Sequence, residues 1–160
     1  MRLRSDVERK RLFGIAAEAR SGSELDAGLY APGASERTYA RLAELARAVL
    51  AARYPVIVDA AFLQRDERER FAGLARDAGA RFLIAACTAA PAVLRARVAA
   101  RERDGRDASE AGLAVLERQL ATSEPLAQDE AGHTMNIDAA RGAGTPETAA
   151  LARRLGLEPA

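Results

Sequence analysis

Asp6 and Arg9 form an Asp-x-x-Arg pattern within Arg4-Ser5-Asp6-Val7-Glu8-Arg9-Lys10-Arg11-Leu12. It follows a very short N-terminal strand, and a carboxylate at the mouth of a sheet is a candidate for acid–base work. The alternative is that Asp6 caps the helix running through Leu12, with Ser5 as the rival cap, and both roles can hold at once. Asp59 lies near the end of the strongest strand, read from the apolar run Val56-Ile-Val-Asp-Ala-Ala-Phe62. A charge at the end of a buried strand is costly unless it meets Mg²⁺, substrate or backbone donors, although a turn aspartate is an equal reading. Arg97 and Arg101 are four residues apart and so leave one face of a helix. Arg103 and Arg106 follow in a hinge containing Gly105. Guanidinium groups so placed can close on phosphates as planar clamps carried by a mobile lid. A solvated arginine face is the competing reading. Arg65, Arg68 and Arg70 carry a weaker form of the same argument, and there the solvated face is favoured. Tyr30 and Tyr39 can line a substrate or simply pack. His133 and Cys87 are each the sole residue of their type, so no zinc site is assigned; a strand-entry role and a buried core thiol are expected.

These residues need elements to hold them. Val56–Phe62 and Arg81-Phe-Leu-Ile-Ala-Ala-Cys87 read as strands buried on both faces, with His133–Asp138 a weaker third. Leu42, Leu45, Ala46, Val49 and Leu50 form one apolar face of a helix over 36–53. Phe71, Leu74, Ala75 and Ala78 form another, stopped by Gly79. Pro91 opens a helix running to about Arg103 that Gly105 ends, and Asp107-Ala-Ser-Glu110 has capping-box spacing for a helix carrying Leu113, Leu116 and Leu120. Thr145-Pro146-Glu147 begins a last helix, closed by Gly156. Alternating strands and helices imply right-handed crossovers and a mainly parallel sheet between helical layers. Ligands of such sheets bind beyond the carboxyl ends of the strands, where Asp6 and Asp59 fall. The Ser21–Ser35 connection, rich in Gly and Ser, has a length that often covers a site.

Composition narrows the classes. The 160 residues fit one domain, able to bury roughly two-thirds of its unfolded surface. A net charge of +1 gives no bulk electrostatic case for nucleic acid or an anionic membrane. All but one of the 24 basic residues are arginine, a bias that fits a GC-rich bacterial genome. A single cysteine excludes an internal disulfide and fits a reducing cytoplasm. The basic N-terminus lacks an apolar run after it, and the most apolar stretch, Phe82–Leu94, is too short to span a bilayer. A cytoplasmic protein is expected.

In this order the motifs resemble the ATP-binding, kinase-like P-loop NTPase domain found alone or behind an aminoglycoside-phosphotransferase-like domain in bacteria, a group related to polynucleotide, gluconate and zeta-toxin-type kinases. The resemblance is carried by Arg4–Leu12, Gly28-Leu-Tyr30, Arg37-Thr-Tyr-Ala-Arg-Leu42, Val56–Leu63 and Arg68. It continues through Leu94-Arg-Ala-Arg97, Arg101, Asp107–Ala111 and Val115–Gln119, covering nearly the whole chain. It implies a three-layer α/β P-loop fold as one domain over 1–160, with a lid at about 91–111. It implies Asp6 as the base that takes the acceptor hydroxyl's proton, Arg9 as its support, and Asp59 as the acidic residue of a Walker B strand. Arg97 and Arg101 become ATP-phosphate ligands, and Tyr30 and Arg68 lie on the substrate side. ATP and Mg²⁺ are the implied cofactors, and a small molecule or nucleotide the acceptor.

One part of the pattern is missing. A Walker A loop needs Gly-Lys-[Ser/Thr], because its amides cradle the phosphates while the lysine bridges the β and γ positions. The only lysine here is Lys10, between Arg9 and Arg11. The resemblance therefore implies a domain incomplete at its N-terminus, without its central strand and phosphate loop, and inactive on its own. The expectation is that Val56–Asp59 and Phe82–Ala86 pair directly in a four-stranded sheet. The rival is an open edge filled by a second copy or by a separate segment bearing the phosphate loop. A non-catalytic binding module of the same descent is the alternative function.

Overall fold

The computed structural model describes residues 1–19, 21, 28–30, 33–105, 107–141 and 146–155. The chain opens with strand β1 (Arg2–Arg4), which passes without a turn into helix α1 (Ser5–Leu12). Helix α2 (Ala34–Ala51), strand β2 (Ile57–Asp59) and helix α3 (Arg65–Asp77) follow. The second half contains β3 (Ile84–Thr88), α4 (Pro91–Asp104), α5 (Leu113–Thr122), β4 (Thr134–Asp138) and α6 (Pro146–Leu155).

Local chemistry accounts for several boundaries. Pro91 occupies the first turn of α4, where its missing N–H costs nothing, and Gly105 ends it in the left-handed region at φ 68°. Gly79 adopts φ 61° just past α3, as its position predicts. Two expectations about caps are corrected. The N-cap of α1 is Arg4, with no side-chain cap; Asp6 lies inside the first turn and its Oδ1 accepts the N–H of Val7 at 2.8 Å. Nor does Asp107–Glu110 cap α5, which begins at Leu113 behind Gly112, because both carboxylates are drawn to arginine and lysine partners elsewhere. Gly156 lies outside the described residues.

The strands form two parallel pairs. In one, Arg2, Leu3 and Arg4 register with Ile57, Val58 and Asp59; in the other, Ile84–Thr88 register with Thr134–Asp138. The expected direct pairing of β2 with β3 is not made among the described residues. Such pairing needs backbones about 4.8 Å apart, whereas polar contacts between the start of α3 and the stretch after α5 hold the two halves together instead. Glu124 N–H donates to Leu63 O at 2.9 Å, Gln64 Nε2 to Thr122 O at 2.9 Å, and Arg68 joins Glu130. With one edge unpaired among the described residues, both strands are wetter than their apolar sequences suggest. Ile57 is 54% exposed, and Cys87 is exposed rather than buried as expected.

The core belongs to the first half. Leu3, Tyr39, Leu42, Ala43, Ala46, Phe71 and Leu74 form its buried cluster, with Leu42 fully inaccessible. Tyr39, Leu42, Ala43 and Ala46 recur at helical spacing, so α2 presents one apolar face to β1 and α3. Tyr39, Phe62 and Phe71 meet edge to face, with centroids 5.1–6.4 Å apart. Phe62 holds φ 47°, an unfavourable angle for an aromatic residue, at the corner leaving β2. Its N–H donates to Tyr39 Oη at 2.9 Å, which fixes the corner.

Candidate active site

Parallel register brings the candidate carboxylates to one edge. Arg4 pairs with Asp59 across β1 and β2, so Asp6, two residues on, and Asp59 both lie at the carboxyl ends of these strands. A cleft of about 420 Å³ opens there. Asp6 and Asp59 line one wall, while Arg97 and Arg101 of α4 line the other, with Asp107 and Ser109 of the α4–α5 connection and Gln119 of α5. Leu94, Val98 and Leu116 supply apolar surface between them.

Arg4 organises this edge. It grips Asp6 with two parallel bonds, Nε to Oδ1 at 3.1 Å and Nη2 to Oδ2 at 2.5 Å, and reaches Asp107 Oδ1 at 3.0 Å. The bidentate geometry fixes the plane of the Asp6 carboxylate. Its two oxygens offer about four acceptor positions; among the described residues Arg4 and the Val7 amide take three of them. The Ser109 N–H, with Arg4 beside it, outweighs burial and holds the Asp107 carboxyl below the usual range. Sequence reasoning passed over Arg4 and Asp107 as site residues. The signal was present in Arg4-x-Asp6, where a strand ends in a guanidinium two residues ahead of a carboxylate.

Asp59 departs from its premise. It is 45% exposed and ion-paired to Arg2, with Arg2 Nε at 3.0 Å from Oδ2, because β2 is an edge strand rather than a buried one. Arg97 donates from Nη2 to Ala139 O at 2.7 Å, and Arg101 from Nη2 to Ala111 O at 2.5 Å. Each guanidinium carries five N–H donors, so both retain donors for a ligand while tying α4 to β4's exit and to the α4–α5 connection. Arg106 lies outside the described residues.

The remaining expected residues sit elsewhere. Arg9 turns to Leu29 O at 3.4 Å and Ser35 Oγ at 3.5 Å, away from the cleft lining. Tyr30 closes a single turn at Gly28–Tyr30, and its side chain is outside the described residues. Arg68 is 4% exposed; it takes Glu130 by Nε at 2.6 Å and Nη2 at 3.0 Å and donates to the carbonyl of Phe62 at 3.1 Å. That places it in a buried clasp between halves, neither on a solvated face nor at the cleft. Tyr39 packs in the core, and burial raises its phenol. His133 precedes β4 and meets Phe82 edge to face, with centroids 6.3 Å apart.

The described residues do not fit a whole ATP site. A phosphate cradle needs free amides at a glycine-rich helix start and a lysine that can reach them. Here Arg4 precedes α1, Asp6's own carboxylate occupies the Val7 amide, and Lys10 is 1% exposed in an ion pair. Among the described residues no group of three His, Cys, Asp or Glu could hold a metal ion. The two arginines of α4 fit the far side of a polyphosphate, and nothing here fits its cradle.

Parallel strand pairs with intervening helices, and a cleft beyond their carboxyl ends, define an α/β P-loop-like fold. The family model described as an AAA domain matches residues 1–126, and the chain belongs to that P-loop, kinase-like family. The match ends before β4 and α6. No curated protein and no solved structure matches the chain. No helix among the described residues is long and apolar enough to cross a membrane.

Proposed function

We propose that this chain supplies the acceptor side and the lid of an ATP-dependent phosphotransferase acting on a small molecule or nucleotide. The observation that carries the reading is the cleft itself, with Asp6 and Asp59 on one wall facing Arg97 and Arg101 on the other. Asp6 Oδ takes the proton of the acceptor hydroxyl, and Arg4 keeps that carboxylate in place. Arg97 and Arg101 neutralise phosphate charge from the lid, which is most of what phosphoryl transfer asks of side chains. Asp59, exposed and paired with Arg2, is available to orient the acceptor or a hydrated cation.

The missing cradle must come from a Gly-x-x-x-x-Gly-Lys-[Ser/Thr] segment outside these 160 residues, in line with them or on a partner. The edges of β2 and β3 that stay unpaired among the described residues favour a strand docking there. Alone, the chain is inactive. The buried lysine favours one second reading, a non-catalytic binding module of the same descent.

Calorimetric titration separates the two. Mg-ATP should give no heat with the chain alone, and should bind and raise the melting temperature once a strand and phosphate loop are joined ahead of Met1. In that extended protein Asp6→Asn should leave ATP binding intact and lower kcat by about 10²–10⁴. Absence of binding in the extended protein would establish the non-catalytic reading. In-frame DNA ahead of Met1 encoding the motif would support the first.

A further inference from the structure

Lys10, the chain's sole lysine, is one of its most deeply buried side chains, at 1% exposure. An ammonium is tolerated there because each of its three protons has an acceptor: Ala17 O at 3.1 Å, Ala19 O at 2.8 Å and Glu110 Oε1 at 2.9 Å. Glu110, 8% exposed, also accepts the Ser21 N–H at 2.9 and 3.0 Å and the Ser21 hydroxyl at 2.7 Å. Burial works to raise its carboxyl, but Lys10 and Ser21 outweigh this and hold it below the usual range.

One buried pair thus joins three segments: α1, the stretch that follows it to Ser21, and the α4–α5 connection some hundred residues later. A buried ion pair is an expensive way to gain stability, since apolar residues of similar volume often do as well or better. What it supplies is a fixed position. The same α1 carries Asp6, and the same connection carries Asp107, which meets Asp6 through their shared partner Arg4.

We infer that Lys10 is a positioning residue: through Glu110 it sets the lid connection against the helix that bears Asp6, and so fixes the width of the cleft. The catalytic consequence rests on the phosphotransferase reading above; the clamp itself does not.

The test uses the chain's two amines, Met1 N and Lys10 Nζ. Under an amine-acetylating reagent, with the product mapped by mass spectrometry, Met1 should react quickly and Lys10 hardly at all. Glu110→Gln should speed Lys10 labelling ~10-fold or more through local opening. Amide hydrogen exchange should rise at 13–21 and 105–112 and stay unchanged in α2. Lys10→Arg, which keeps charge and donors, should keep the protection of 105–112, whereas Lys10→Met, of similar volume, should lose it. The double variant Lys10→Met/Glu110→Leu guards against misfolding: it should keep the urea midpoint and still lose that protection. If Lys10 in Glu110→Gln labels no faster than the whole molecule unfolds, or if Met keeps protection as well as Arg, the inference is overturned. If the clamp behaves as expected but the loop-extended protein never binds Mg-ATP, positioning stands and the phosphotransferase reading falls.

Discussion

The two halves of this molecule are built by different means. Of the described buried apolar residues, ten lie between Leu3 and Ala75 and only Val98, Val115 and Ile137 lie beyond. The first half is therefore an ordinary hydrophobic unit, α1–α3 closed over β1 and β2. The second is joined to it by charged contacts: Arg68 to Glu130, Lys10 to Glu110, and Arg4 to Asp107. The cleft runs along this seam, so the wall bearing Asp6 rests on packed core while the arginine wall rests on ion pairs.

The largest effect is expected at Arg68. Arg68→Ala strands Glu130, which is 10% exposed, and should cost roughly 3–5 kcal/mol in urea unfolding, as for other broken buried pairs. Loss in the second half alone, with α2 still protected from exchange, would sharpen the contrast; uniform loss would break it. Core truncations in the two halves come next. Leu42→Ala should cost about 2–5 kcal/mol, and Val115→Ala, in the thinner half, roughly 1–2 kcal/mol from its lost methyl groups. Equal costs would refute the asymmetry.

Acid gives the smallest and most selective effect. The Arg68 hydrogen bonds hold the Glu130 carboxyl below its usual range, and Glu110 and Asp107 are lowered too. Depressed carboxylates contribute stability that is present above their ordinary pKa and lost as pH falls through the lowered folded values. Burial raises Glu67 instead, so its contribution is full below its ordinary pKa and lost as pH rises through the raised value. The three lowered groups named first lie on the seam, whereas Glu117, also lowered, is an exposed partner of Arg95 between α4 and α5; the urea midpoint should therefore fall between pH 7 and 3, with exchange rising first at 105–112. Glu130→Gln should flatten that slope.

Residues whose role is set by their neighbours in sequence were readable, and those set by distant partners were not. Pro91 and Gly105 bound α4, and Gly79 ends α3, because backbone angle alone decides there. Asp6 and Asp59 could be placed at the strand ends because parallel register follows from element order. Asp107–Glu110 has faultless capping-box spacing, yet Arg4 and Lys10, about a hundred residues earlier, claim both acids. Arg68 looked like surface charge, since nothing local announces a carboxylate 62 residues away. Apolar β2 and β3 read as buried strands, but burial depends on a neighbour that these residues do not provide.

The corner at Phe62 carries a last consequence. Its left-handed backbone angle costs of order 1–3 kcal/mol, and glycine would adopt it without strain. The aromatic ring is retained because it stands between Tyr39 and Phe71 and fastens the exit of β2 to α2 and α3. A glycine there would be easier on the backbone and would work as a hinge. With phenylalanine the exit of β2, and Asp59 with it, is fastened to the packed core of the first half.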